Sequence, residues 1–222
     1  MIRVVESARD LGVVIDFKLS LSAHVAALCR SGFYHLLQLR PVLRSLTHEA
    51  ARTLVQAFIS CRLDYCNSLL YGVSHGNIRQ VQSVQNAAAR LLTGARRREH
   101  ISPVLRQLHW LPIQSRVNFK LACFVFSSLS DHAPSYLSDD IHLVSEGPRR
   151  HLRSSTDRSC VVPCTCNTFG DRSFAVAGPR VWNSLPGHLR DEDITYSSFI
   201  LVFLQPGRNE TSCLIARYKY SY

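Results

Sequence analysis

Apolar residues recur at helical spacing along most of this chain, and proline or glycine interrupts them at short intervals. This pattern is typical of amphipathic α-helices joined by short loops. The first helical segment starts near Ser22, and Pro41 is expected to stop or kink it. Its apolar side chains approximate one face: Val25, Leu28, Phe33, Leu36 and Leu37. Because such segments bury their apolar faces against one another, the sequence predicts a compact helical bundle.

Further helices continue the bundle, and caps, prolines and apolar spacing delimit them. The sequence contains no internal repeat, so each helix has a pattern of its own. The predicted helices are Thr47 to about Leu70, Asn77 to Gly94, Pro103 to Leu108, residues 113–129, a short helix begun by Pro134, residues 179–186, and a last helix capped by Ser197.

Both ends of the chain depart from the helical pattern. Residues 1–20 contain a β-branched run broken by Gly12, which predicts one or two short strands without obvious partner strands. Residues 160–163 and 173–176 predict a small hairpin after a basic linker that begins at Gly147. We therefore expect a mainly α fold, with a helical bundle, short N-terminal strands and a small, irregular α+β C-terminal segment.

The charge is strongly basic and unevenly placed. The 222 residues hold 26 Lys and Arg against 16 Asp and Glu, a formal net charge of +10, and 23 of the 26 cations are arginine. Arginine binds phosphate bidentately, so the bias fits a nucleic-acid partner, although the codon composition of a genome explains the same bias without any function. Position favours the first explanation, since residues 79–120 carry a local +7 and residues 147–190 a local +5.

The eight cysteines do not suggest a disulfide scaffold. Four of them lie singly within apolar helical patterns and are expected to fill the core: Cys29, Cys61, Cys66 and Cys123. Cys160, Cys164 and Cys166 are weak candidates for metal ligands, because zinc sites usually combine two separate close pairs. We expect no metal site.

No catalytic centre is recognisable in the sequence. A Gly-x-Ser-x-Gly turn, a Walker lysine loop, a His-Glu-x-x-His pair and a dinucleotide fingerprint are all absent. Asp139 and Asp140 superficially match the acidic turn that holds Mg²⁺ in polymerases, but they follow a helical segment and lack a second acidic strand. We interpret them as solvated acids and expect no enzymatic activity.

Apolar runs in the sequence are too short for a membrane span. The longest, residues 121–126 and 199–204, have six residues each, whereas a membrane helix needs about 20. No signal-peptide pattern opens the sequence. We expect a soluble intracellular protein, in the nucleus or the cytoplasm, that does not associate with membranes.

Six short strings follow one another in order between residues 9 and 199. They are Asp10-Leu-Gly-Val-Val-Ile-Asp16, Arg62-Leu-Asp-Tyr-Cys-Asn-Ser-Leu-Leu70, Gln82-Ser-Val-Gln-Asn-Ala-Ala-Ala-Arg90, His100-Ile-Ser-Pro-Val-Leu105, Leu108-His-Trp-Leu-Pro112 and Arg180-Val-Trp-Asn-Ser-Leu-Pro186. In order and spacing they resemble the C-terminal part of the open reading frames of non-LTR, LINE-type retrotransposons of the jockey, CR1 and L2 kind.

The resemblance implies a position within a much longer reverse transcriptase. In that family the Leu-Gly-Val segment lies at the junction of palm and thumb, and the following helices correspond to the thumb and the post-polymerase region. Residues 1–20 are then expected to be a palm/thumb junction remnant, residues 21–143 a thumb-like bundle and residues 144–199 a basic post-polymerase segment. Residues 200–222 depart from the family's pattern and are expected to be a divergent tail.

The family's catalytic parts are missing from this sequence. The palm aspartates that bind Mg²⁺ in that family, and its endonuclease, would precede Met1. The resemblance therefore implies a truncated RNA-directed DNA polymerase fragment that holds no cofactor of its own.

Resemblance and charge together predict non-catalytic binding of RNA or an RNA/DNA hybrid. A thumb holds template-primer by its backbone, so binding is expected to be independent of sequence and steeply dependent on salt. Aromatic side chains such as Phe17 and Tyr34 are expected to fill the core rather than stack on bases. The candidate phosphate-binding residues are Arg90, Arg96, Arg97, Arg98, Arg116 and Lys120, with Arg149, Arg150 and Arg153 as a flexible second contact.

Two alternatives remain open at this point. The chain could be a domesticated helical module that binds a protein through an apolar surface, which the palm would cover in the parent family. It could also be a remnant open reading frame without a selected function. For Arg96–Arg98 alone, the favourable position of cations after a helix C-terminus offers a purely structural explanation.

Overall fold

The computed structural model describes residues 6–146 and 158–203, and these residues form a mainly helical protein with one N-terminal hairpin. The predicted fold class is confirmed. The elements are β1 Ser7–Asp10, β2 Val13–Asp16, α1 Ser22–Leu43, α2 His48–Val55, a π-helical turn Gln56–Ser60, α3 Cys61–Asp64, α4 His75–Thr93, α5 Ile101–Leu108, α6 Ile113–Leu129, α7 Ser135–Ser138, α8 Phe174–Asn183 and α9 Tyr196–Phe203.

Strands β1 and β2 pair with each other as an antiparallel hairpin. The expectation that the N-terminal strands lack partners is therefore wrong. The register brings Asp10 opposite Val13, which leaves Leu11 and Gly12 as a two-residue turn. Their φ angles are 44° and 85°. Positive φ at both central residues is what a tight hairpin turn needs to match the right-handed twist of its strands.

The hairpin is joined to α1 by side-chain hydrogen bonds. The Asp16 carboxylate accepts from the Ser20 hydroxyl at 2.7 Å and from the Leu21 backbone N–H at 2.8 Å. These bonds, that from Ser20 above all, hold the pKa of Asp16 below its usual value. The backbone N–H of Val14 donates to Nδ1 of the buried His24, at 3.4 Å.

Helix α1 buries only part of the predicted face, with Val25 and Leu36 buried as expected. Phe33 and Leu37, both expected in the core, are 42% and 66% exposed. The buried side contains Val25, Cys29, Gly32, Leu36 and Leu39. Small residues explain the difference, because Gly32 lets α1 approach α4 so closely that a Cβ there would lie 2.6 Å from Cγ1 of Val84. A pattern read from large apolar side chains alone overlooks such a contact.

Helix ends follow their predicted signals in part. Thr47 caps α2 as expected, since its side chain accepts from the Ala50 N–H at 3.4 Å. The helical segment that begins there contains the π-helical turn and ends at Asp64 rather than near Leu70. Pro41 lies inside α1 and does not stop it.

Helix α4 is bounded by a cap at each end. Its N-cap is Ser74, whose hydroxyl accepts from the backbone N–H of Asn77 at 3.4 Å, so the predicted capping role of Asn77 is wrong. Its C-cap is Gly94, as expected, with a φ of 71°. Left-handed backbone at this position is the usual end of a helix and favours glycine.

The chain divides into two compact units, with the boundary inside α6 between Arg116 and Val117. In the first unit, α1 packs on α4, and α5 also packs on α4. In the second, Phe126 stacks on Phe199 with ring centroids 4.7 Å apart, and Trp182 lies 6.0 Å from Phe199. The predicted boundary between residues 143 and 144 lies within the second unit.

The predicted C-terminal hairpin does not form among the described residues. Cys160 instead makes an isolated bridge with Leu143, and α8 begins at Phe174, within the segment expected to be a strand. The final helix also differs from its prediction, because the Thr195 hydroxyl, not Ser197, accepts from a first-turn N–H. Val176 is the one β-branched residue within residues 173–176, so this segment favours a strand only weakly.

Candidate nucleic-acid interface

The loop between α4 and α5 carries the densest exposed positive charge among the candidate residues. This basic loop, residues 94–100, begins at the left-handed Gly94, whose N–H donates to the Arg90 carbonyl at 2.9 Å. A turn follows, in which the N–H of Glu99 donates to the carbonyl of Arg96 at 3.1 Å. The side chains of Arg96, Arg97 and Arg98 are exposed.

The arginines of the basic loop have no protein partner within the described part of the chain. Neither an ion pair nor a hydrogen bond involves the guanidinium groups of Arg96–Arg98, and Glu99 is the single acidic residue of the loop. Three adjacent, solvated guanidinium groups at the C-terminus of α4 raise the local positive potential. Such groups can form bidentate hydrogen bonds with phosphate oxygens.

Arg106 is a further exposed cation, on α5, that the sequence-based choice of candidates left out. It is exposed in the last turn of α5, the helix that packs against α4. Arg79, also passed over, is exposed near the start of α4. Both belong to the basic segment 79–120, so the local charge count contained the signal, while exposure could not be read from it.

Arg90 is half-buried one turn before the end of α4. Its Nε is inaccessible to solvent and has no hydrogen-bond partner among the described residues. Part of this guanidinium is therefore turned into the protein, so Arg90 is a weaker phosphate-binding candidate than the exposed loop arginines.

Arg116 has an internal role, and its assignment as a phosphate-binding residue is wrong. The side chain is 4% exposed, and Nη1 lies 2.8 Å and 2.9 Å from the two carboxylate oxygens of Asp64. Its Nε donates to the Leu111 carbonyl at 3.0 Å. The guanidinium is occupied by these acceptors and is not available to a nucleic acid.

The Leu111 carbonyl is the centre of a buried polar network, here called the Leu111 network. Besides Arg116, the Nε2 of Gln85 donates to this carbonyl at 2.7 Å. Nearby, the backbone N–H of Ile113 donates to Oε1 of Gln82 at 2.9 Å. The strings that carry the family resemblance thus supply residues that connect α3, α4 and the start of α6 inside the first unit.

The remaining basic candidates are not part of the loop. Lys120 belongs to the second unit, is half-buried and lies over the Phe124 ring at 5.2 Å, a geometry that fits a cation–π contact. Arg149, Arg150 and Arg153 lie outside the described residues.

The candidate metal ligands are not gathered into a cluster. Cys160 is buried, and both its backbone N–H and its carbonyl bond to the Asn183 side chain at 2.8 Å. Burial raises the pKa of the Cys160 thiol to about 12, which opposes the thiolate that zinc needs. Cys164 and Cys166 are exposed, and no group of three metal-binding side chains occurs in residues 6–146 and 158–203.

Comparison with known proteins adds no relative. No protein-family model, curated protein or solved structure matches this chain. None of the helices that the structure describes is long and apolar enough to cross a membrane.

Proposed function

We propose that this chain grips RNA or an RNA/DNA hybrid through backbone phosphates, without catalysis, as the thumb and post-polymerase part of a non-LTR retrotransposon reverse transcriptase would. The observation that supports this most is the basic loop, where three exposed arginines have no acceptor among residues 6–146 and 158–203. Phosphate contacts of this kind position a nucleic acid and carry no sequence information.

The basic loop is built for a backbone contact. It is short, follows a capped helix end and leads directly into α5, so its charges are held close to two packed helices. It contains no Phe, Tyr or Trp, and its one ring is the imidazole of His100 at the start of α5. Three arginines beside a single small ring favour phosphate binding, and the duplex form exposes its phosphates while hiding its base faces.

The decisive experiment is fluorescence-polarisation binding of a labelled 20-base-pair RNA/DNA hybrid over a salt series. Wild-type affinity is expected to fall steeply with salt, and the triple variant Arg96→Ala, Arg97→Ala, Arg98→Ala to bind more weakly. Each phosphate contact contributes roughly 0.9 to the slope of log affinity against log salt, so the variant should lose about two to three from that slope.

A charge-matched control separates the loop from net charge. The triple variant Arg9→Ala, Lys18→Ala, Arg40→Ala removes three exposed cations, one from the hairpin, one from the segment after it and one from α1. It is expected to keep most of the wild-type slope. Equal losses in the two triple variants, or a wild-type affinity that does not respond to salt, would contradict the proposal.

A further inference from the structure

Helix α1, the longest helix of the first unit, exposes both arginines and aromatic side chains to solvent. Helix α1 contains no acidic residue, and between Ser22 and Leu63 five arginines accompany Glu49 as the one acid. This local excess lies outside residues 79–120 and 147–190, the two segments that the charge count singled out. The same helix exposes aromatic side chains that were expected in the core.

Three rings form a row at this surface. The ring centroid of His35 lies 5.5 Å from that of Tyr34 and 5.9 Å from that of Phe58. Tyr34 is 58% exposed and Phe58 41% exposed. Phe58 lies in the middle of the π-helical turn, a type of helix irregularity that often occurs at functional sites. Exposed planar faces of this size are what nucleobases stack on.

Two exposed arginines lie about one helical turn along the chain from rings of this row. Arg30 is exposed about one turn before Tyr34 on α1, and Arg62 follows Phe58 by four residues. Nη1 of Arg62 donates to the Ser31 hydroxyl at 3.2 Å, which holds this guanidinium beside α1. Arg30, Tyr34, His35, Phe58 and Arg62 are together called the aromatic–arginine surface.

We propose that the aromatic–arginine surface binds single-stranded nucleic acid, with bases stacked on Tyr34 and Phe58 and with phosphates contacted by Arg30 and Arg62. Aromatic platforms flanked by cations are the usual means of holding unpaired strands. A duplex presents no open base faces to such rings. The charge also favours this occupant. Helix α1 has no acidic residue, so the exposed arginines give a positive surface that complements a polyanion.

This inference goes beyond the proposed function, because it concerns another surface and another type of contact, namely base stacking. Both activities fit one protein that meets a duplex and the unpaired strand leading from it. Each is testable separately, since the basic loop and the aromatic–arginine surface share no residue.

The test measures binding of fluorescein-labelled (dT)20 and (rU)20 to the full chain at moderate salt. Tyr34→Leu keeps apolar bulk and removes the ring, so affinity is expected to fall about 5- to 100-fold, in line with the effect of one lost base stack. Tyr34→Trp keeps a stacking surface and is expected to bind within about threefold of wild type. Tyr136→Leu is the matched control, because Tyr136 is 70% exposed in the second unit.

Several outcomes would overturn the inference. They are wild-type affinity in Tyr34→Leu, equal losses in Tyr34→Leu and Tyr34→Trp, and a loss in Tyr34→Leu that is as large for the RNA/DNA hybrid as for the single strands. Sedimentation adds one more, namely a dimer that Tyr34→Leu dissociates without change in single-strand affinity, which would assign the surface to a second copy.

The loop variant makes failure of the two ideas distinguishable. Arg96→Ala, Arg97→Ala, Arg98→Ala is expected to weaken hybrid binding more than (dT)20 binding, and Tyr34→Leu to do the opposite. If only the loop variant weakens binding, the result supports the proposed function and contradicts the stacking surface. If only the Tyr34 variant weakens binding, the stacking surface stands without the duplex grip.

Discussion

At the scale of single residues, a cation's burial decides its role more than its place in a charge cluster. Arg96 and Arg116 belong to the same basic segment, yet one is exposed and the other is 4% exposed against Asp64. The partner of Arg116 lies 52 positions earlier in the sequence. No local pattern contains that information, so the charge count could nominate Arg116 but could not place it.

Replacing Asp64 by asparagine is expected to lower the free energy of unfolding by about 2–4 kcal/mol, because a buried guanidinium then loses its charged partner. The double variant Asp64→Asn, Arg116→Met removes both charges and should recover part of that loss. Urea unfolding at neutral pH measures both values. A single variant within about 0.5 kcal/mol of wild type would show that the ion pair contributes little.

His24 gives the first unit a sensitivity to acid. Burial lowers the pKa of His24, so the folded state favours the neutral ring that accepts from Val14. Its contribution to stability is complete above the unfolded pKa, near 6.5, and is lost as pH falls from there through the lower folded value. Unfolding free energies at pH 7.5 and 5.5 should differ more in wild type than in His24→Gln; equal differences would exclude this role.

At the scale of elements, helix periodicity predicted most of the architecture. Residues 113–129 form α6 with the predicted bounds, and Gly94 ends α4 as expected. Phe33 and Leu37 of α1 were wrongly expected in the core, because the helix's close contact with α4 is made by Gly32, which carries no hydrophobic signal. The hairpin turn Leu11-Gly12 was missed for a related reason, since Leu11 is an uncommon residue at positive φ.

Gly32→Ala tests the close packing of α1 on α4. Alanine is the better helix former by about 1 kcal/mol, but its Cβ would lie 2.6 Å from Cγ1 of the stiff Val84 side chain. We expect a net loss of about 1–3 kcal/mol in thermal or urea unfolding, partly relieved by Val84→Ala. Gly76→Ala is the matched control, because only Ser74 Oγ lies near its added Cβ, at 3.9 Å, so it should be neutral or stabilising.

At the scale of the whole molecule, the six sequence strings and the exposed arginines of the basic loop involve different residues. The strings that resemble reverse-transcriptase segments supply Asp64, Gln82, Gln85 and Leu111 to the buried polar network. The exposed arginines of the basic loop lie between two such strings rather than within them. Five of the six strings lie in the first unit and one, residues 180–186, in the second, whereas the proposed binding depends on loop residues outside the strings.

Aromatic residues show the limit of prediction at this scale. Tyr34 was expected in the core but is exposed, whereas Trp110 and Trp182 are buried, at 2% and 1% exposure. Periodicity places a residue on a helix but does not say which faces find partners. That depends on the arrangement of all the helices in a unit, which is why the aromatic–arginine surface emerges only from the structure.

The backbone conformation of Gly94 sets the direction of the basic loop independently of the loop's charge. At its φ of 71° no neighbouring atom would obstruct a Cβ, so what excludes most side chains there is the backbone conformation alone. A mutation at this codon would leave every arginine in place and still redirect the chain that carries them. During sequence divergence, the orientation of the loop and its charge can thus be lost by separate events.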